Sequence, residues 1–542
     1  MNALNVVTSV DAAWSRLGRH DGSAEAVAEL RRIARGGPAD GYQLFYRLYR
    51  DPTGMEAFAP DALPFLTALA RDPSLPDRHE VAATLFMLVG AARTQPAERI
   101  APGWHAAWRS CRAAAEHLIE DPDPRTRRWA VDLVERHAPL LERLRSEEEP
   151  AVRIKLLMRL GELAAGSSDS DDARLALEAA ATASAALRLA ALRGLARLDP
   201  EGAAGLPEQL VTVFREPGAA ASVGAEWDLP DPEYRTELPG LILGTAEDLP
   251  GPLAARFTSE LARTGELTYR TAALDAAWKV LVVRPSTGPG LVRVAGELLD
   301  DPEPAVRVRA ANLLAVLGPS AAPFTDALLA HLDDPGEDEV RDGRVTDYAH
   351  WALGRIGDPR VMPRLVDGLT ALDREPGRGY QACDPHRPEP YDALLTLEEH
   401  ADALRPALLE LARAGSGTRP GRTAAAVLSA WDGTTPPWEP TLRGDLEATA
   451  ARLTEMPPRY QPWQDPLTHL AAVAAVAALS RRGPLAPPVR SAVEHVLSLD
   501  RRLAVTFDYR AFLDDERLRA VLRRALDGEA VRMPHLCLPT QY

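Results

Sequence analysis

The chain has 542 residues, with 62 basic against 78 acidic side chains and a formal charge of −16, the wrong sign for a general nucleic-acid binder, though a locally basic groove stays open. At about 150 residues per domain the length suggests three or four ordinary domains, unless the chain is a repeat array that runs on as one unit. Cys111, Cys383 and Cys537 are unclustered, which excludes a disulfide framework and a CxxC zinc site and fits a reducing cytoplasm.

Taken from the start, MNALNVVTSVDAAWSRLGRHDG lacks the basic start and apolar core of a leader, and the longest apolar run, Leu470 to Leu479, is half a membrane span. A soluble, unexported, cytoplasmic chain with no membrane partner is expected. Lysine occurs only at 155 and 279 and asparagine only at 2, 5 and 312, while Arg, Ala and Pro abound, a bias of GC-rich coding that points to a bacterial source. Residues 1–104 have helical spacing without a readable register and predict N-terminal repeats or a cap.

A block over residues 105–372 then repeats itself. The segments DPDPRTRRWAVDLVERHA from Asp121, EEEPAVRIKLLMRLGELA from Glu147 and DPEPAVRVRAANLLAVLG from Asp301 share an acid, a proline turn, an arginine and an amphipathic helix. Weaker copies surround Arg188 and Arg270. In the copy from Asp301, Val306, Ala310, Leu313, Leu314 and Leu317 form one helix face, and Leu291, Val294, Leu298 and Leu299 precede them at helical spacing. Each unit is therefore helix, turn, helix. Alternating strand segments are missing and aromatics are only 6%, so the fold class predicted is all-α with no sheet: an α-solenoid of stacked helical hairpins, roughly ten to thirteen of them.

Proline-rich stretches interrupt the array. One, acidic, lies near residues 216–240 within the central block. A second, 374–392, opens a region of insertion and further helical repeat over 373–432. The third, 432–441, leads into a C-terminal helical region or cap over 433–542. Such insertions either lie idle on the surface or take part in binding on one face of the array.

The run from Asp301 and ALGRIGDPRVMPRLVDGL from Ala352 resemble HEAT repeats of the bacterial, phycobilin-lyase-like type, with clear similarity over roughly residues 105–200 and 255–372. The resemblance implies that a turn acid and an arginine six residues later build a ladder between stacked units, a role it carries to Asp121/Arg127, Glu147/Arg153 and Asp301/Arg307. Thr182 and Thr264 stand where Arg188 and Arg270 would need that acid, so the ladder is expected to break there.

Catalytic and metal motifs fail on inspection. His79-Glu80 has Ala83 where a zinc helix needs its second histidine, and GSGTRPGRT from Gly415 has the wrong spacing for a phosphate loop. GRGYQA from Gly377 has no strand before it, and Cys383/His386 is one pair without further ligands. The acid pairs Asp300-Asp301, Asp333-Asp334 and Asp514-Asp515 sit beside helix boundaries and read as caps or rungs. No catalytic residue, metal or cofactor is assigned.

What remains is the face of the second helices. Positions one, four, five and eight after the ladder arginine point away from the core, and the resemblance implies that they line a concave groove. With Thr346 in the ladder place, Asp347, His350 and Trp351 fall there, alongside Arg128, Asp132, Met158, Arg193, Asp275 and Asn312 of other units. Trp is a favoured interface anchor, so these three are the predicted partner-binding residues; the alternative is that Trp351 packs under the insertion after Asp373. Trp129 and Tyr348 fall on the flank and read as core. The function predicted is a non-enzymatic scaffold or adaptor for a protein partner. Its rivals are a HEAT-like enzyme of DNA glycosylase or bilin lyase type, and a regulatory or immunity protein.

Overall fold

Prolines set the helix starts. Pro124, Pro150 and Pro304 each occupy the first helical position, where a missing N–H costs nothing and the ring pre-sets φ. A computed structural model of the chain describes residues 18, 20, 22–50, 53–95, 97–167, 170–202, 204–219, 223, 238–338, 342–370, 386–415, 417–434, 437, 442, 444–455, 466–504 and 508–537. Cys383, GRGYQA from Gly377 and most of the 216–240 stretch lie outside them. The chain divides into two compact units, Met1–Glu237 and Leu238–Tyr542. The boundary falls at the end of the acidic insertion, inside the block read from the sequence as a repeat core with an insertion near 216–240.

In the first unit the hairpins are α1 Ala24–Ala34 with α2 Gly41–Leu48, α3 Ala59–Ala70 with α4 Arg78–Thr94, α5 Trp104–Glu116 with α6 Pro124–Ala130, α7 His137–Ser146 with α8 Pro150–Ala164, and α9 Ser170–Ala180 with α10 Ala185–Leu198. Second helices pack on second helices, α2 on α4, α4 on α6, α6 on α8 and α8 on α10, and α3 packs on α5 in the first row. This is the α-solenoid expected. A strand pair the sequence did not announce, β1 Tyr49–Arg50 and β2 Gly54–Met55, closes antiparallel with Tyr49 opposite Met55; two residues are too few to show alternation.

Helices α8 and α10 meet at two glycines, and a Cβ on Gly161 would lie 2.2 Å from the Gly194 carbonyl oxygen. No rotamer relieves a clash with backbone, so Gly161→Ala is expected to destabilise the first unit by about 1–3 kcal/mol, more than the roughly 1 kcal/mol that alanine adds to helix propensity. An unchanged urea midpoint would show that the helices part freely.

The second unit repeats the plan with α11 Gly251–Ala262 and α12 Leu267–Val283, α13 Gly288–Glu297 and α14 Pro304–Leu317, α15 Thr325–Ala330 and α16 Val345–Ile356, α17 Met362–Thr370 and α18 Pro390–Leu395, and α19 Ala401–Ala414 and α20 Arg419–Trp431. That makes ten hairpins among the described residues. Residues 304–330 are apolar and long enough to cross a membrane by length and composition. Here a 3₁₀ turn at Gly318–Phe324 breaks the stretch, and α14 is buried all round between α12 and α16.

Four further helices, α21 Leu446–Ala451, α22 Pro466–Ser480, α23 Pro487–Ser498 and α24 Arg510–Leu526, share a separate hydrophobic core whose buried members, among the described residues, fall within 450–536, including Val473, Val493, Leu518 and Leu522. The chain before α24 and the start of α24 return to the second-helix row. Arg502 donates from N to the Val283 carbonyl (3.2 Å) and from Nε to that of Leu281 (3.1 Å), and Asp500 accepts from Ser286 N (2.9 Å) and Oγ (2.6 Å). Phe512 lies 5.3 Å from the Trp278 ring, Tyr509 lies edge-on to Trp351 at 5.7 Å, and Glu516 accepts from Arg355 Nη2 at 2.6 Å.

Candidate protein-binding face

The ladder has a regular chemistry. Each turn acid accepts the N–H two residues on: Asp121 from Asp123 (2.8 Å), Glu147 from Glu149 (3.0 Å), Asp301 from Glu303 (2.9 Å) and Asp334 from Gly336 (2.8 Å). Arg127, Arg153 and Arg307 each donate from Nη1 to the backbone carbonyl of the acid six residues earlier. The carboxylate serves the previous unit: Arg78 pairs with Asp121, Arg127 with Glu147, Arg188 with Glu216, Arg270 with Asp301 and Arg307 with Asp334. Thr182 holds the sequence place where the next unit's acid would stand, and no ion pair to Arg153 is present among the described residues; its Nε is buried without a partner there. Arg188 and Arg270, by contrast, reach forward and are paired. The sequence reading missed the first rung, although Asp72 and Arg78 carry both the six-residue spacing and a following proline.

The three predicted contact residues do not form an open surface. Trp351 is 0% exposed and packs against Tyr509 from far along the chain, while most of the insertion after Asp373 lies outside the described residues. Asp347 is buried and its Oδ2 accepts the Arg344 N–H (2.9 Å), which fastens the start of α16. His350 is half-exposed, with Nδ1 2.9 Å from the Thr346 carbonyl one turn back. Helical projection puts them on one face, but it carries no information about what covers that face. Of the other groove positions, Arg128, Arg193 and Asn312 are buried and Asp275 pairs with Arg309. Tyr348 is core, as expected, while Trp129 is half-exposed.

In the first unit the flank of the second-helix row keeps a partly open patch. Phe86 on α4 and Trp129 on α6 lie 5.1 Å apart with ring planes 34° apart, and Lys155 Nζ on α8 sits 5.1 Å from the Phe86 centroid. Lys155 is also ion-paired to Asp132, whose carbonyl accepts from Arg93 Nη1 (2.9 Å). Glu135 gathers Trp108 Nε1 (3.3 Å) and Arg112 Nη1 (2.5 Å); burial raises its carboxyl, but these two hydrogen bonds outweigh that and hold it below its ordinary value. Met158 on α8, at the same position as Asp132 in the 3₁₀ turn after α6, is half-exposed too. Two rings, a thioether and charges of both signs on three adjacent helices make a surface suited to a mixed apolar and polar protein contact. The lysine cation over a ring, two positions after its ladder arginine, was the readable signal, and it lies on a position the face projection leaves out.

Chemistry remains sparse. Among the described residues no three His, Cys, Asp or Glu side chains could hold a metal together. The Gly415 stretch places Thr418 as a cap whose Oγ accepts the Gly421 N–H (3.2 Å) at the start of α20. Asp514 and Asp515 lie inside α24 rather than at its boundary: Asp515 binds Arg502, Arg519 and the Leu503 N–H, while burial pushes Asp514 up to about 7.

The fold and this face define an α-solenoid of HEAT-like hairpins. No known family and no curated protein matches the sequence. Among solved structures the chain is similar to the karyopherin Kap121p bound to Pho4p (16% identity, TM-score 0.36, 93% of this chain and 53% of that one). It is also similar to yeast importin-beta, Kap95p (14%, 0.35, 94% and 73%), and to a chain of a full-length AP-3 complex (12%, 0.29, 97% and 94%). The chain thus spans about half the length of the Kap121p it matches. Identities of 12–16% with TM-scores below 0.5 transfer no site and no ligand.

Proposed function

We propose that this chain is a cytoplasmic protein-binding scaffold or adaptor of bacterial origin, engaging its partner through the flank of the second-helix row of the first unit around Phe86, Trp129 and Lys155. The observation that carries the reading is a contiguous, half-exposed aromatic and charged patch built on three rigid, laddered helices. The repeats resemble the phycobilin-lyase-like type, but no residue here marks a pigment site, and binding without turnover accounts for the patch. Affinity capture from the source cell followed by titration tests it. Phe86→Ser with Lys155→Glu is expected to weaken the captured partner at least tenfold, about 1.4 kcal/mol, at a temperature where the altered protein, somewhat destabilised by loss of the Trp129 and Asp132 contacts, is still fully folded. Equal affinity for the altered protein would remove the patch from the interface.

A further inference from the structure

We infer that the second-helix face of α12 and α16 is a second, helix-binding surface, occupied here by Tyr509 and the start of the chain's own α24 and open to a partner helix that carries aromatic side chains at i and i+3 and a carboxylate at i+7. It extends the scaffold reading but does not depend on the patch in the first unit.

The spacing comes from α24 itself. Tyr509, Phe512 and Glu516 stand at i, i+3 and i+7, the pattern of one helix face laid against a groove, and they meet Trp351, Trp278 and Arg355 respectively. Arg355 is nearly inaccessible on its own side while Glu516 is half-exposed, so the receptor supplies a fixed guanidinium and the ligand a surface carboxylate.

Two observations mark the docking as exchangeable. Among the described residues the buried members of the C-terminal core fall within 450–536, with Leu442 and Leu446 packed against them, and the apolar side of α24, with Leu518, Leu522 and Ala525, belongs to it. Undocking therefore leaves that core closed. The docked state also leaves two donors unmade: among the described residues Trp278 Nε1 and Trp351 Nε1 are both buried without an acceptor. Buried donors left unmade are costly, so a partner helix supplying acceptors beside the two indoles gains bonds that α24 does not make.

The test uses the full chain and a labelled synthetic peptide of residues 508–526. Asp500→Ala with Glu516→Arg removes two exposed polar anchors and leaves the buried ones, Arg502 to the Leu281 and Val283 carbonyls and Tyr509 to Asp392, in place. The altered protein is expected to bind the peptide at least tenfold more tightly than the unaltered one, and a peptide with Tyr509 and Phe512 replaced by alanine should not bind. Hydrogen exchange should accelerate over 510–517 and stay slow over 466–480. Unchanged peptide affinity overturns the inference. So does unchanged exchange over 510–517, or acceleration of 466–480 in step with it, since α24 would then be permanent core. The captured partner and the peptide are titrated separately, so either reading can fail while the other stands.

Discussion

Trp351→Ala is expected to unfold the second unit rather than detach a ligand, lowering stability by roughly 3–5 kcal/mol. The indole is fully buried, packs edge-on to Tyr509 and lies under the Arg355 guanidinium, whose central carbon is 5.8 Å from its ring. Its removal leaves a large cavity beneath a helix contributed by another part of the chain. One term opposes this: the unpartnered Nε1–H disappears with the ring, returning about 1–3 kcal/mol. The cavity wins, because alanine fills little of the space. Trp351→Phe separates the two, keeping most of the ring while deleting the orphan donor, and should lie within about 1.5 kcal/mol of the parent. Urea unfolding followed by circular dichroism reads both; a mild alanine variant would mean that Tyr509 does not hold its place over the ring.

The ladder predicts a loss of similar size. Arg127 Nη2 and Nε donate to Glu147 at 2.7 and 2.8 Å, and Glu147 is 2% exposed. Arg127→Met leaves that carboxylate buried with Arg143 and the Glu149 N–H as its remaining partners. Breaking one side of a buried pair costs about 3–5 kcal/mol, and the retained Arg143 places this case near 3. Adding Glu147→Gln removes the stranded charge while keeping an acceptor for Glu149, so the double variant should recover most of the loss. A double variant as unstable as the single one would mean that the guanidinium acts through packing alone.

Acid should reproduce the effect. Burial opposes the charged form of Glu147, but Arg127, the Glu149 N–H and Arg143 outweigh it and hold the carboxyl below its ordinary value. Asp334 is held down to about 2, burial again being overcome by Arg307, the Gly336 N–H and His331. A depressed carboxylate contributes stability above its unfolded pKa, and the contribution is lost as pH falls through the folded one. Stability should therefore drop between about pH 4 and pH 2, with roughly 2 kcal/mol of it from Asp334. Arg307→Met should flatten that part of the titration.

Helices and their pairing were readable because apolar residues recur at 3.6 spacing and because Pro124, Pro150 and Pro304 announce helix starts locally. The ladder arginines were readable for the same reason, but not the direction of their reach, since the acid that each meets lies in the next unit. The site was legible only in part. Periodicity assigns Trp351 to a face, whereas its cover, Tyr509, comes from a segment with no local relation to it. Lys155 and Trp129 escaped because a residue two places after the ladder arginine projects between core and face, and only the neighbouring Phe86 shows which way it turns.

The turn carboxylates also set how the first unit comes apart. Because Asp121 and Glu147 each complete their own turn and bind the preceding unit's arginine, a hairpin that melts there leaves its neighbour's guanidinium unmatched, a strong nearest-neighbour coupling. Thr182 offers Arg153 no such bond, so between α8 and α10 the ladder adds nothing to the helix packing at Gly161 and Gly194, and the boundary between ordered and melted repeats is expected there. Partial melting should thus produce a discrete species with the ladder from Arg78 to Glu147 intact, in the manner of a linear chain of spins with one weak link.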